Sequence, residues 1–353
     1  MSGSRRANVL GLGLIGGSVA KALRERGWHV SGDDQRADRT AAALDRGIVD
    51  AAGLDPDALI TFVATPVLSL VDQVKRALAE TSGLVTDVGS VKSAVADVDD
   101  PRFVGGHPMA GSELEGLDGA DAAMFEGATW VLTPSAATAD DTFATVAGVV
   151  AELGADVVAM SPERHDETVA VISHVPHLVA ASLMTMASER AEEHASLLRL
   201  AAGGFRDMTR IASGHPAIWL DICAQNSAAI VAGLDGLIRS LSEVRATVAE
   251  DDRDGLHRRL TRAREARANL PVRGARPDQL AEVRIPILDR PGGAAEIFTL
   301  AADLGVNIAS FEVVHSAEGD RGVAVVLVDL ASADLYRGGL MARGFRPSVH
   351  RLG

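Results

Sequence analysis

The chain has 353 residues, 47% of them apolar, and its 48 acidic against 34 basic side chains give a formal charge of −14. That length predicts two or three domains with sizeable cores, and the acidity argues against nucleic acid or an anionic membrane surface as a partner. The single cysteine, Cys223, excludes an internal disulfide framework and a cysteine metal cluster, and reads as a small buried apolar residue.

A short apolar run, Arg6–Gly11, leads directly into Gly11-Leu12-Gly13-Leu14-Ile15-Gly16. A helical pattern follows through Ala20, Ala22 and Leu23. A second strand, His29–Asp33, then ends at Asp34, 18 residues beyond Gly16. Strand, glycines, helix, strand and acid in this order are the fingerprint of a dinucleotide-binding βαβ unit. Gly11 allows the tight turn, Gly13 lets the backbone approach a pyrophosphate, and Gly16 lets the helix pack on the strand. The pyrophosphate is expected at the helix N-terminus, at Leu14 and Ile15, where free N–H groups and the dipole favour an anion. Asp34 is expected to accept from a ribose diol, which favours NAD over NADP. Arg36 has the opposite chemistry, since it can receive a 2′-phosphate.

Further strands are predicted at Leu59–Ala64, Gly83–Val88, Phe103–Gly106 and Thr129–Pro134, with Ala155–Ala159 as an edge strand. Helical stretches separate most of them. The alternation predicts an α/β fold, a parallel, doubly wound sheet of Rossmann type over residues 1–160. The carboxyl ends of its strands face the ligand crevice. Thr65-Pro66 there either lines the cofactor or simply turns the chain into a helix. Ser90 either stands near a nicotinamide or caps a helix. His107, in a glycine-rich loop after a strand, is the residue type of a general base near neutral pH.

From Ser161 the pattern becomes helical, with Ser161 as N-cap and Pro162 at the first helical position. Helices are predicted over 162–172, 176–193, 195–202, 216–249 and 253–268, an all-α domain over 161–270. Its apolar faces are too many for one compact monomer, so a homodimer is expected. Thr168–Ser188 carries no formal charge over 21 residues, but His174, Pro176 and His177 interrupt it, and a buried helix is expected rather than a membrane span. His174 and His177 read as a metal pair, as substrate contacts or as packing at a helix start. No cysteine and no helical Glu-x-x-His accompany them, so no metal is expected. Arg206 and Arg210 suit a dicarboxylic substrate, because a guanidinium fork matches a carboxylate; the other reading is a solvated helix face. Residues 269–279 read as a linker. Strands at Glu282–Leu288, Asn307–His315, Gly322–Leu330 and Ser348–Leu352, with helices at Gly292–Leu304 and Ala333–Arg343, give βαββαβ over 280–353. The start Met-Ser-Gly-Ser-Arg-Arg shows no cleavable apolar leader, so a cytoplasmic enzyme is expected.

The glycine motif, Asp87-Val88-Gly89-Ser90-Val91-Lys92, His107-Pro108-Met109-Ala110-Gly111-Ser112-Glu113, Ser173-His174-Val175-Pro176-His177, and Gly204–Ala212 with Trp219 resemble together the prephenate dehydrogenase family, arogenate dehydrogenases included. The C-terminal unit, with Leu288–Gly292 and Leu304–Ile308, resembles an ACT domain, a module that binds amino acids. The resemblance implies NAD-dependent oxidation and decarboxylation of prephenate to 4-hydroxyphenylpyruvate. It makes His107 the acceptor or base for the substrate C4 hydroxyl, with Ser90 orienting that pair. Arg210 would hold a substrate carboxylate, and Glu113 and Arg206 would form an ionic gate. His174 and His177 would sit at the substrate pocket, and Trp219 near the pocket or the dimer contact. An aromatic amino acid would be the effector, near the Asp289–Gly292 turn. Glu115 stands where the family often has Lys, which favours the amino group of arogenate. A non-catalytic regulator that binds dinucleotide and amino acid is the reading from another class; His107, Ser90 and Arg210 together argue against it. A 3-hydroxyacid dehydrogenase with a Lys base on its helical domain is excluded, because no Lys follows Lys92.

Overall fold

A computed structural model describes residues 5–112, 114–193, 198–268, 280–288, 294–315 and 321–351. By its contacts the chain divides into two compact units, Met1–Glu243 and Val244–Gly353.

The first unit opens with β1 (Arg6–Leu10), α1 (Leu14–Glu25), β2 (His29–Asp33), α2 (Ala37–Asp45) and β3 (Ala51–Ala52). It continues with β4 (Ile60–Val63), α3 (Val67–Glu80), β5 (Leu84–Asp87), β6 (Phe103–Pro108), β7 (Thr129–Thr133), α4 (Asp140–Glu152) and β8 (Asp156–Ala159). These strands form one eight-stranded sheet in the order β3-β2-β1-β4-β5-β6-β7-β8. Ile60 to Val63 are all buried, as expected of a strand covered on both faces. On α3, Val67, Leu70, Val74 and Ala77 are buried at helical spacing and face the sheet. Trp130, wholly buried, meets Phe62 edge-on at 6.2 Å and Phe125 at 5.0 Å between centroids.

The sheet departs from the all-parallel expectation at one pair, because β6 and β7 run antiparallel. Among the described residues between them lie only short 3₁₀ turns, Gly116–Asp118 and Ala122–Phe125. Without a crossover helix the chain returns antiparallel. From β7 to β8 it crosses through α4, and that pair is parallel again. The strand order reverses between β1 and β4, so the crevice outside their carboxyl ends is the ligand-binding position of such a sheet.

The helical part begins with α5 (Pro162–Val169), where the Ser161 side chain accepts from the Arg164 amide at 3.2 Å. One π turn, Ala170–His174, leads into α6 (Val175–Glu193). The predicted gap between two helices is therefore this widened turn. It lies where Pro176, with no N–H, would otherwise leave a carbonyl unpaired and press against it. Of the helix predicted at 195–202, residues 198–202 are described: Leu198–Leu200 form a 3₁₀ turn, and Ala201 and Ala202 lie outside any helix. Then come α7 (Gly203–Thr209), the 3₁₀ turn Arg210–Ser213, α8 (Pro216–Gln225), α9 (Ser227–Ala249) and, in the second unit, α10 (Arg253–Ala268). The single helix expected over 216–249 is broken at Asn226, where α8 and α9 bend by 97°. The run Pro162–Arg190 is 29 residues and apolar enough to cross a membrane by composition. It carries the buried polar side chains His165, Asp166, His174 and His177, as a core helix does.

The second unit ends in β9 (Leu280–Leu288), α11 (Ala295–Asp303), β10 (Ile308–His315), β11 (Arg321–Asp329), α12 (Leu330–Ala342) and β12 (Ser348–Arg351). This is the predicted βαββαβ order, with an antiparallel sheet β10-β11-β9-β12. On β9, buried Val283, Ile285 and Ile287 alternate with Glu282, Arg284 and Pro286, and the buried set packs on Ile297, Leu300 and Tyr336. The Tyr336 hydroxyl donates to the Ile297 carbonyl at 3.0 Å, and burial pushes its pKa up to about 12. The expected linker 269–279 and the Asp289–Gly292 turn lie outside the described residues.

Gly13 and Gly16 make a test of the β1–α1 turn. A Cβ on Gly16 would overlap the Gly11 carbonyl oxygen, whereas one on Gly13 would meet nothing within 4 Å. Gly16→Ala should cost about 1–3 kcal/mol of stability, as overpacking does, and lower the Tm. Gly13→Ala should keep a near-parental Tm but bind NAD more weakly by calorimetry. Equal losses of Tm in the two variants would contradict this account of the turn.

Candidate active site

The crevice is built first from the β1–α1 turn. Gly11 sits at φ +91°, in the left-handed region, and a Cβ there would strike the Ala64 carbonyl at the end of β4. Among the described residues no side chain caps α1 at Gly13, so its first N–H groups face the open space above Gly13. Leu14 and Ile15, half-buried, form its first turn. Thr65 and Pro66 follow β4 directly. The Thr65 hydroxyl is buried with no hydrogen-bond partner among the described residues, as a side chain awaiting a ligand would be. An uncapped helix start, an open Gly13 and this orphaned hydroxyl together fit a dinucleotide.

Asp34 is committed within the protein. Its carboxylate accepts from the Leu12 amide at 2.8 Å and from the Arg36 amide at 2.9 Å, and its side chain is 5% exposed. It ties the glycine turn to the turn after β2. Arg36 directs its guanidinium to Asp38 at 2.6 Å, and Asp33 takes Arg76 at 2.9 Å.

The second half of the site is stapled by a buried ion pair. Asp87, the last residue of β5, accepts from the Lys92 ammonium, from the Gly89 amide at 2.8 Å and from the Gly106 amide at 3.1 Å. Lys92 also donates to the Gly106 carbonyl at 2.6 Å. Both side chains are 0% exposed. Burial lowers the Lys92 pKa, against the pull of the Asp87 charge. The pair clamps the ends of β5 and β6 together, with half-buried Ser90 in the loop it holds.

His107 projects from the end of β6. Its Nδ1 lies 2.8 Å from His165 Nε2, and His165 Nδ1 lies 2.7 Å from Asp166 Oδ1. Asp166 further accepts from the Lys92 and Ser93 amides, each at 2.8 Å. Burial pushes the Asp166 carboxyl up, but hydrogen bonds from His165, Lys92 and Ser93 outweigh it and hold the pKa at about 2. Burial, the main cause, holds His107 well below the ordinary imidazole range, with the nearby Lys92 ammonium acting in the same direction. It is therefore neutral at neutral pH, as an acceptor must be.

Asn226, at the break between α8 and α9, places Nδ2 2.9 Å from the Asp166 carbonyl and 3.2 Å from His174 Nδ1. His174, in the π turn, meets Trp219 edge-on at 6.1 Å, and His177 stacks on the same ring at 3.5 Å. Neither joins a group of three side chains placed to hold a metal ion among the described residues. Arg206 lies on α7 and donates to the Ala201 carbonyl at 3.1 Å, while Arg210 opens the following 3₁₀ turn. Both are exposed, on elements that pack against α6. Glu113 lies outside the described residues.

The structure thus gathers His107, His174, His177 and Trp219 around α5 and α6, and adds four residues that sequence reasoning passed over: Lys92, His165, Asp166 and Asn226. One signal was present. His165 and Asp166 share the buried side of α5 with Val169, so two polar residues occupy an apolar face.

Burial, the main cause, lowers His174 from 6.5 to about 4. Between those two pH values the unfolded chain takes a proton that the folded protein refuses. Stability should therefore fall as pH drops from about 6.5 to about 4, before the Asp166 contribution is lost on the way down to about 2. Urea titrations across this range should show the fall, and His174→Gln should flatten part of it. An unchanged slope in the variant would remove His174 as a source.

Comparison with known proteins follows the same division of the chain. The family model for the prephenate dehydrogenase nucleotide-binding domain matches residues 19–159, and that for the prephenate dehydrogenase dimerization domain matches residues 161–262. A prephenate dehydrogenase of Bacillus subtilis (strain 168) is 36% identical over 334 residues, 89% of this chain and 90% of that protein. The crystal structure of prephenate dehydrogenase from Aquifex aeolicus in complex with hydroxyphenyl propionate and NAD+ is 29% identical, with a TM-score of 0.71 over 77% of this chain and 100% of that one. Synechocystis arogenate dehydrogenase is 32% identical, with a TM-score of 0.65 over 74% of this chain and 98% of that one. With both halves of the site built on matched domains, the chain belongs to the prephenate dehydrogenase family.

Proposed function

We propose that this protein is an NAD-dependent prephenate dehydrogenase. The observation that carries the reading is His107: neutral, at the carboxyl end of β6, with Nδ1 engaged and Nε2 left for substrate. Gly11, Gly13, Leu14, Ile15 and Gly16 would hold the pyrophosphate, with Asp34, Thr65 and Pro66 along the rest of the dinucleotide. Two of the Asp34 lone-pair sites are taken by amides and Arg39 stands 3.8 Å from Oδ2, while a carboxylate offers about four sites. A ribose hydroxyl can thus still donate to it. When bound, NAD accepts the hydride that leaves C4 of prephenate.

The C4 hydroxyl hydrogen-bonds to His107 Nε2, with Ser90 beside it. As the C4–H electron pair departs, the hydroxyl proton passes to Nε2 and C4 becomes a carbonyl. The bond from the ring to its carboxylate then breaks, CO2 leaves, and its electron pair makes the ring aromatic. The phenolate regains the proton from His107 to give 4-hydroxyphenylpyruvate. Arg210 would hold a substrate carboxylate, with Arg206 and Glu113 as an ionic gate. His174, His177 and Trp219 would form the pocket wall. Arogenate is the second reading, favoured by exposed Glu115, whose charge suits an amino group better than a keto acid.

The same reading divides the chain into an NAD-binding domain over 1–160, a helical substrate and dimerisation domain over 161–270 and an ACT-like domain over 280–353. Exposed Ile218, Leu220, Val231, Ile238 and Leu241 on α8 and α9 support a homodimer. The βαββαβ order supports the ACT-like assignment, with an aromatic amino acid as effector. A cytoplasmic location completes the reading.

NADH formation with prephenate and with arogenate, measured side by side, is the decisive assay. Prephenate should be the better substrate, and His107→Asn should cut turnover about 10²–10⁴-fold with substrate affinity nearly kept. Turnover with neither compound, or near-parental turnover in His107→Asn, would reject the assignment.

A further inference from the structure

We propose that His165 and Asp166 are positioning residues that hold His107 in the Nδ1–H tautomer, so that its Nε2 lone pair is always the one offered to substrate. The proposal rests on the reading of His107 as acceptor and deepens it.

The chain of hydrogen bonds is fixed from its buried end outward. Asp166 is ionised and can only accept, and it is fixed by the Lys92 and Ser93 amides at 2.8 Å each. His165 Nδ1, 2.7 Å away, must therefore carry the hydrogen. With its single hydrogen there, His165 presents a bare Nε2. His107 Nδ1 faces that nitrogen at 2.8 Å, and one of the two must donate. The donor is His107, and its Nε2 is left without a hydrogen.

A His165 with a hydrogen on both nitrogens would instead donate to His107 Nδ1 and leave a hydrogen on His107 Nε2, where no proton could be received. His165 is 0% exposed, and burying an ion costs free energy, so the first arrangement is the one assigned. During turnover the order pays a second return: the proton leaving the substrate oxygen forms an Nε2–H bond, and the resulting imidazolium keeps its Nδ1–H directed along a chain that ends at the Asp166 carboxylate. Neighbouring His174 is held by Asn226 instead and takes no part in the chain.

A purely space-filling His165 would leave tautomer and kcat alone, which makes the two roles separable. Three variants of the full-length enzyme are needed: His165→Leu, His165→Gln and the His107→Asn control. In His165→Leu, kcat should fall about 10²–10⁴-fold while KM for prephenate and NAD stays near parental, since the group acts on the proton step rather than on binding. His165→Gln, whose amide oxygen can accept from His107 Nδ1, should recover most of that loss. Nitrogen-15 histidine spectra should show His107 as Nδ1–H in the parent and in His165→Gln, and as a mixture in His165→Leu. A parental kcat in His165→Leu, an equal loss in both His165 variants, or an Nε2–H His107 in the parent would overturn the proposal. If His165→Leu does not fold, the parent spectrum decides alone. Near-parental turnover in His107→Asn is a different failure, because it removes the acceptor itself and leaves the tautomer result standing.

Discussion

Lys92 joins the sheet to the helices. Its ammonium is spent on Asp87 and on the Gly106 carbonyl, at the ends of β5 and β6. Its backbone N–H is spent on Asp166, in the first turns of α5. One residue therefore sets the distance between the strand end that carries His107 and the helix that carries its partner. A buried ion pair adds little net stability, because desolvation offsets the attraction, yet loss of one partner costs about 3–5 kcal/mol by stranding the other charge. The value of such a pair lies in geometry. The Asp87 carboxylate is further fixed by two amides, so neither β5 nor β6 can slide without breaking several hydrogen bonds in a dry interior.

The cofactor end of the crevice follows a different rule. There the side chains are withdrawn. Gly13 leaves open space, no side chain among the described residues caps α1, and the nearest acid is turned inward onto two amides. The binding energy for a dinucleotide then comes from backbone N–H groups and the helix dipole. The contrast with the substrate end is chemical. A pyrophosphate needs only fixed partial positive charge, whereas proton transfer needs a side chain in one protonation state and one tautomer. The first is supplied by a turn, the second by a chain of buried groups.

That contrast also sets what could be read from sequence. The glycine turn, the strand alternation and the βαββαβ unit depend on local pattern, and each is where the pattern put it, within a few residues. The reversal at β7 was hidden, because it depends on what the 109–128 connection lacks rather than on anything β7 contains. The break at Asn226 was hidden by its surroundings, since apolar spacing continues through it from α8 into α9. His107, His174 and His177 were visible as isolated histidines in suggestive places. His165 and Asp166 were passed over because Ser161-Pro162 explained their neighbourhood as a helix start. Their meaning is tertiary, for they contact residues 58 and 74 positions away along the chain.

The π turn at Ala170–His174 shows how one local irregularity serves that tertiary arrangement. A regular α-helix advances about 100° per residue. Along an unbroken helix His174 would therefore stand about 180° from His165, on the opposite face, and His177 about 120° away. A π turn inserts one residue with no net advance. The same positions then fall about 80° and about 20° from His165, all on one side. The contacts agree with the shifted register: Asn226 reaches both the Asp166 carbonyl and His174, and Trp219 meets both His174 and His177. Pro176 gives the irregularity a local cause, because its missing N–H and its ring disfavour the regular hydrogen-bond ladder just above. A single proline, through the turn it imposes, thus brings the helix's histidines onto the face that His107 meets.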